Sequence, residues 1–230
     1  MTKQYRHELK FLISTSHAEV LKHRLSLLMD IDDNSVYEDN TYFIRSLYFD
    51  DINNSSYHEK LDGIENREKY RIRIYNMDDS FIRLERKEKK RNLIHKIQVP
   101  ISKELCQQII DRTYDKELIK EETHLGDIIR DIEFKHLVPS VIVDYRRLAY
   151  IYPAEDTRIT FDENVSSGRY ESDIFRDDIV TSPTFDERET VLEIKFNNHL
   201  PNHIYKIVTS LPMVRRAISK FALCYEKKEV

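Results

Sequence analysis

The chain has 230 residues, of which 40% are hydrophobic and 34% are charged, and its formal net charge is −4. The hydrophobic fraction is enough for a folded core, but the charged fraction exceeds the ~25% typical of globular proteins. No apolar stretch approaches the ~20 residues of a membrane span, and the N-terminus lacks the apolar region of a signal peptide, so we expect a cytoplasmic protein without a transmembrane segment.

The first predicted elements are a charged strand and an amphipathic helix. Residues 4–13 alternate in character, which places Arg6, Glu8 and Lys10 on one face of a strand. Residues 16–19 then have the spacing of a capping box, and the leucines that follow form a helical stripe.

The middle of the chain predicts further strands and a helical segment. Strands are predicted at residues 42–50, 68–76, 81–88 and 93–99. Pro100 is expected to end the last of these strands, because proline cannot donate a ladder hydrogen bond. Residues 102–112 predict a helix capped by Ser102, and the chain is expected to stay mostly helical as far as residue 137.

The C-terminal part predicts three strands and a final helix. The strands are expected at residues 140–152, 157–162 and 189–196, with a polar excursion at 164–188. The last helix is expected at about residues 213–226. No internal repeat or linker is visible, so the chain is expected to form one domain, residues 1–230.

Positive charge is concentrated in one part of this acidic chain. Residues 67–96 contain 11 Lys or Arg residues and 5 Asp or Glu residues. A local positive field of this kind favours a confined anion site over a broad nucleic-acid surface, so no nucleic-acid partner is expected.

The charged faces recur in at least five strands, and together they predict a common interior. If one antiparallel barrel closes around them, these faces converge on its axis. Unpaired buried charges are costly, so such an interior must hold water, counter-charges or an anion. A triphosphate fits, because Arg binds its oxygens in a bidentate manner, Lys adds point charge, and glutamate binds a hard divalent cation.

Other kinds of site lack their sequence signatures. There is no phosphate-binding glycine loop, no nucleophile elbow and no zinc-type spacing of Cys and His. Cys106 and Cys224 are far apart, and two cysteines do not suggest a disulfide framework.

The ordered set of motifs resembles the VTC domain, the polyphosphate polymerase domain of the triphosphate tunnel metalloenzyme (CYTH-like) superfamily. The resemblance covers nearly the whole chain and rests on RxExK from Arg6, YRIRIY at 70–75, LERK at 84–87, DYRRLAY at 144–150, RITFDENV at 158–165, VLEIKF at 191–196 and RRAISKF at 215–221. It implies an α+β fold: a closed antiparallel β-barrel tunnel of about eight strands, with flanking helices and a C-terminal helix.

The resemblance also implies the site residues. Catalytic roles fall to Arg71, Arg73, Lys87, Arg147 and Glu193, and Glu193 is the metal ligand for Mn²⁺ or Mg²⁺. Substrate-binding roles fall to Lys10, Arg71, Arg73, Lys87, Lys96, Arg147, Arg158, Lys195 and Lys220. Arg146 is the alternative to Arg147 if the register differs by one residue.

Three functions stay open at this point. The resemblance implies a polymerase that transfers the γ-phosphate of ATP to a growing polyphosphate chain, so ATP and inorganic polyphosphate are the expected partners. The alternatives are an inorganic or nucleoside triphosphatase on the same fold and a polyphosphate-binding module without catalysis. Arg6 occupies the position where the superfamily's metal-dependent hydrolases usually carry glutamate, which favours the polymerase. A membrane-protein partner is also left open.

Overall fold

The computed structural model describes residues 5–91, 93–168, 171–186 and 188–229. Its strands are β1 Arg6–Ser14, β2 Asp30–Ile31, β3 Thr41–Asp50, β4 Asn66–Tyr75, β5 Asp78–Lys90, β6 Leu93–Ile101, β7 Val138–Tyr152, β8 Thr157–Gly168, β9 Thr181–Pro183 and β10 Glu189–Phe196. Its helices are α1 Thr15–Leu25, α2 Ser55–Leu61, α3 Lys103–Asp111, α4 His124–Phe134, α5 Asn202–Val208 and α6 Lys220–Glu229, with 3₁₀ turns at Lys116–Lys120 and Ala154–Asp156. The described chain is therefore α+β, as predicted.

The strands form one antiparallel sheet whose pairings return to their start. The order is β2-β7-β3-β4-β5-β6-β1-β10-β8-β9, and β7 also pairs with β8. Eight strands thus form a closed ring, and β2 and β9 add to its margins. The contact between β6 and β1 is short, with Arg6 opposite Ile94 and His7 opposite Leu93.

The strongly charged strands β4 and β5 form a tight hairpin. Asn76 and Met77 at the turn have φ values of 52° and 58°, and Tyr75 pairs with Asp78. Two consecutive positive φ values are typical of the two-residue turns that match the twist of a hairpin. The turn fixes the register, so that Arg71 lies opposite Glu85.

Two apolar clusters cover the outer face of the ring. One joins β3, β4 and β5 to helices α3 and α4, through side chains such as Ile72, Leu84 and Ile129. The other joins β7, β8 and β10 to helices α1 and α5, through side chains such as Leu21 and Phe161. Because alternate residues of a strand point to opposite faces, the charged residues between these apolar ones point into the ring.

Helix α6 packs against the inner face of the ring. Phe221, Cys224 and Tyr225 are buried with Tyr48 and Tyr145. The helix therefore fills part of the interior and brings its first residue to the charged strands.

The observed elements differ from the predicted ones at four places. Helix α1 is capped by Ser14, whose hydroxyl accepts from the His17 amide, and not by Ser16. Strand β6 continues through Pro100 to Ile101, because β1 pairs only with the start of β6 and leaves this stretch at an edge, where proline is tolerated.

The last helix begins at Lys220, about seven residues later than predicted. The residues before it bind to β1 instead of forming a helical turn: Arg215 makes an isolated bridge with Phe11, and the Arg216 amide donates to the Lys10 carbonyl at 3.0 Å. The predicted excursion at 164–188 also contains the end of β8 and strand β9.

Candidate functional site

A cavity of about 450 Å³ opens within the ring. Its lining comes from β1, β3, β4, β5, β6, β7 and β10, from Lys60 of α2, and from residues 215–221. Thirteen Lys or Arg side chains line it, against the two carboxylates of Glu8 and Glu193. This excess of positive charge favours the binding of an anion in the cavity.

Glu193 lies at the centre of a group of lysines. Its carboxylate is 3.2 Å from the Lys10 amine, 2.8 Å from that of Lys220 and 2.9 Å from that of Lys195. Burial alone would raise its pKa, but Lys10, Lys195 and Lys220 together hold the pKa of Glu193 well below the ordinary value. Glu193 is therefore a carboxylate, and the strands β1 and β10 and helix α6 meet around it.

Two arginines of β4 form a second group with Glu85 of β5. The Arg71 Nε donates to a Glu85 oxygen at 2.6 Å, and its Nη1 donates to the Tyr48 hydroxyl at 2.7 Å. The Arg73 Nη2 donates to the Tyr145 hydroxyl at 3.1 Å. Glu85 is fully buried, so this carboxylate and the two tyrosines fix both guanidinium groups toward the cavity.

Arg147 is fixed by a bidentate ion pair. Its Nε and Nη2 donate to the two oxygens of Asp162 at 2.6 and 2.7 Å, and Lys220 contacts the same carboxylate at 2.5 Å. The neighbouring Arg146 points away and pairs with the exposed Asp39. The structure thus places Arg147, and not Arg146, in the cavity.

Burial lowers the pKa of two lysines that line the cavity. Burial, opposed by Glu8, lowers the pKa of Lys87 to about 8, and burial, opposed by Glu193, lowers the pKa of Lys195 to about 8. Lys10 behaves differently: burial opposes its charge, but Glu193 and Glu8 raise the pKa of Lys10 above its ordinary value. An added negative charge would therefore favour the charged forms of Lys87 and Lys195.

Eight of the ten predicted site residues line the cavity, and two do not. Lys96 lies behind Glu85, at 3.4 Å from its carboxylate. Arg158 pairs with Asp32 and donates to the Tyr42 hydroxyl at 2.9 Å. The eight that share the cavity are Lys10, Arg71, Arg73, Lys87, Arg147, Glu193, Lys195 and Lys220.

Sequence reasoning did not identify Lys69 as a site residue, although the two-residue period of the strand at 68–76 places it on the same face as Arg71. The Lys69 amine donates to the Ser219 hydroxyl at 2.9 Å and lies 4.4 Å from the centre of the Phe221 ring. Burial, with Lys10 and Arg67, holds the pKa of Lys69 well below its ordinary value. The signal that could have found it was the unbroken alternation of cations along β4.

The carboxylates of the site fit a divalent metal that is completed by its substrate. Mg²⁺ is usually bound through one or two carboxylates together with substrate phosphates and water. Glu8 and Glu193 are the two carboxylates of the lining that could bind such a metal, and each lies 3.2 Å from the Lys10 amine. Within the described ranges, no group of three or more His, Cys, Asp or Glu side chains is arranged to hold a metal by itself.

None of the helices in the described part of the chain has the length and apolar character that a membrane crossing requires. A comparison with curated proteins gives no match.

Two solved structures align with most of this chain. A Bacillus halodurans protein, described provisionally as an adenylate cyclase, is 16% identical, with a TM-score of 0.51 over 91% of this chain and 89% of that chain. The PH1819 protein of Pyrococcus horikoshii OT3 is 13% identical, with a TM-score of 0.49 over 96% of this chain and 99% of that chain. At 16% identity the similarity to the Bacillus halodurans protein concerns the fold alone.

The sequence of the chain also matches the model of a known protein family. The model of the VTC domain matches residues 5–228. This range includes every strand of the ring and Lys220 at the start of α6. The chain therefore belongs to the VTC domain family.

Proposed function

We propose that the ring is a tunnel-like site in which the chain transfers the γ-phosphoryl group of ATP to the end of a polyphosphate chain. One observation carries the proposal: cations from strands distant in sequence surround a single cavity that contains only two carboxylates. Membership of the VTC family supports a triphosphate substrate. The name given to the Bacillus halodurans protein of similar fold is compatible with a triphosphate-handling fold.

The proposed reaction needs no protein nucleophile. An oxygen at the end of the polyphosphate chain forms a bond to the γ-phosphorus, the bond between that phosphorus and the bridging oxygen breaks, and ADP leaves. The guanidinium groups of Arg71, Arg73 and Arg147 are already oriented by their partners, so they stabilise charge on the transferred group without reorganising.

The buried lysines and the metal have separate roles in the proposed reaction. Lys87 and Lys195 hold protons more firmly once the phosphate charge is present, because an opposite charge nearby favours the charged form. A divalent metal at Glu193 and Glu8 would neutralise charge across the phosphate oxygens. ATP as the donor also agrees with the cytoplasmic location expected from the sequence.

The test is incubation of the purified chain with ATP and either Mn²⁺ or Mg²⁺. We expect ADP and long, acid-precipitable polyphosphate chains. Orthophosphate without chains would favour the triphosphatase, and tight binding without turnover would favour the binding module. Absence of binding to both ATP and tripolyphosphate would refute a phosphate site altogether.

A matched pair of variants shows whether the cavity carries the activity. Arg147→Ala removes a guanidinium from the cavity, whereas Arg146→Ala removes one from the outer face of the same strand. We expect Arg147→Ala to abolish chain synthesis and Arg146→Ala to preserve it. Equal effects of the two variants would show that the activity does not depend on the cavity.

A further inference from the structure

Lys69 of β4 lies in the cavity without a carboxylate partner. Its amine donates to the Ser219 hydroxyl at 2.9 Å and lies 4.4 Å from the centre of the Phe221 ring. Across the described residues, no Asp or Glu oxygen comes within 4.0 Å of this amine. Lys220 of the same cavity, by contrast, lies 2.8 Å from a Glu193 oxygen.

Cations from four elements surround Lys69. Burial, together with Lys10, Arg67, Lys87 and Lys60, holds the pKa of Lys69 well below the ordinary lysine value. These neighbours belong to β1, β4, β5 and α2. Loss of water and nearby like charges both disfavour a protonated amine, and an unprotonated lysine amine is a nucleophile. The fold therefore provides a nucleophilic amine, although the proposed phosphoryl transfer requires no protein nucleophile.

Arg71 lies beside Lys69 on the same face of β4. Two residues along a strand span about 6.6 Å. The Arg71 guanidinium lies 5.5 Å from the centre of the Tyr48 ring, and the centres of the Tyr48 and Phe221 rings are 5.1 Å apart. The charged ends of Arg71 and Lys69 thus lie over two neighbouring rings. A phosphate bound to Arg71 brings a group bonded to that phosphate close to the Lys69 amine.

We propose that Lys69 is a modification site for acyl phosphates, whose phosphate binds to the cavity cations while the acyl carbon meets the Lys69 amine. The nitrogen forms a bond to the acyl carbon, and the bond between this carbon and the phosphate oxygen breaks. Inorganic phosphate leaves with one proton of the amine. This reaction goes beyond the proposed phosphoryl transfer and rests on it only in assuming that the cavity binds phosphate.

Acylation of Lys69 would inhibit the binding of phosphate in the cavity. The amide that forms carries no charge, and its acyl group occupies space beside Arg71. The cavity then has one charged donor fewer, so the acylated protein should bind tripolyphosphate more weakly. The activity of the cavity would therefore respond to the concentration of acyl phosphate.

The test incubates the full chain with acetyl phosphate and measures the acetylation of each lysine by peptide mass spectrometry. Lys120 is the reference, because it is exposed, lies outside the cavity lining and pairs with Glu117 at 2.6 Å. We expect Lys69 to be acetylated at least about tenfold faster than Lys120, because the bound phosphate holds the acyl carbon near the amine. Tripolyphosphate should suppress the acetylation of Lys69 and not that of Lys120.

Calorimetry with tripolyphosphate gives a second readout. Treatment of the wild-type chain with acetyl phosphate should weaken tripolyphosphate binding about tenfold. Lys69→Arg keeps the positive charge but has no nucleophilic amine, so the same treatment should change its affinity by less than about twofold. If Lys69→Arg does not fold, Lys69→Gln, which also lacks an amine, takes its place in this comparison.

The outcomes separate the modification from the function of the cavity. Acetylation of Lys69 no faster than that of Lys120, in protein that binds tripolyphosphate, would overturn the modification site and leave the phosphate site standing. A wild-type chain that does not bind tripolyphosphate would overturn both. An equal loss of affinity on treatment of the wild type and of Lys69→Arg would place the effect at other lysines and overturn the inhibition through Lys69. Selective acetylation of Lys69 that tripolyphosphate prevents supports the proposal.

Discussion

Replacing Glu193 with Gln tests the carboxylate at the centre of the lysine group. The side chain is almost fully buried and contacts Lys10, Lys195 and Lys220. Removal of one partner from a buried ion pair costs about 3–5 kcal/mol. Lys10 keeps Glu8 and Lys220 keeps Asp162, so we expect a cost near the lower value, about 3 kcal/mol.

For a chain of this size, 1 kcal/mol shifts the melting temperature by about 2–4 °C, so Glu193→Gln should melt roughly 6–12 °C lower than wild type without anion. Tripolyphosphate should restore much of this loss, because an anion at 100 times its dissociation constant stabilises a protein by about 2.7 kcal/mol. Without metal, the variant should bind tripolyphosphate more tightly than wild type, because a repelling carboxylate is gone.

Metal dependence is the result that decides the role of Glu193. Calorimetry with tripolyphosphate, in chelator and in Mn²⁺, should show a metal-dependent gain in affinity for wild type and little gain for Glu193→Gln. The control Glu163→Gln alters a partly exposed carboxylate that pairs with Lys22, and it should change stability by less than about 1 kcal/mol. An undiminished metal effect in Glu193→Gln would refute the assignment of Glu193 as metal ligand.

Four further predictions concern the other charges. Affinity for tripolyphosphate should fall as pH rises through about 8, where Lys87 and Lys195 lose protons in the anion-free protein; a flat profile from pH 7 to 9 would contradict this. Between pH values of about 8 and 10.5, the unfolded chain binds more protons at Lys87 and Lys195 than the folded chain does. The contribution of these lysines to the stability of the anion-free protein should therefore rise with pH. Urea unfolding at several pH values measures this change. Lys69→Met should raise the anion-free melting temperature and weaken anion binding, and a loss of stability would show that Lys69 is structurally required. Arg158→Ala should leave tripolyphosphate affinity nearly unchanged in calorimetry, because Arg158 is engaged outside the cavity lining; a large loss would return it to the site.

Much of the strand pattern was predictable because each strand has one apolar and one charged face. Arg71 and Arg73 flank Ile72 in the sequence. In the structure, Ile72 is buried in the apolar cluster on the outer face of the ring, and both arginines line the cavity. Alternation therefore indicates which residues share a face. It does not indicate how far along the ring each residue lies, which explains why Lys96 and Arg158 were predicted for the cavity and lie outside its lining.

The parts that the sequence did not predict depend on tertiary contacts. The stretch before α6 carries a helical apolar stripe, but hydrogen bonds to β1 keep it out of the helix and bring Arg215 and Arg216 to the cavity. The partners that orient the arginines, such as Glu85 and Tyr48, follow from the cross-strand register. The register depends on turns and pairings that no local motif specifies.

A crystal structure of the chain with tripolyphosphate and Mn²⁺ tests the central claim most directly. The account predicts one anion inside the ring, with its oxygens in contact with Arg71, Arg73, Lys87, Arg147 and Lys220. An anion bound only on the outer surface, or a cavity whose arginines stay engaged solely with Glu85 and Asp162 at saturating tripolyphosphate, would contradict it.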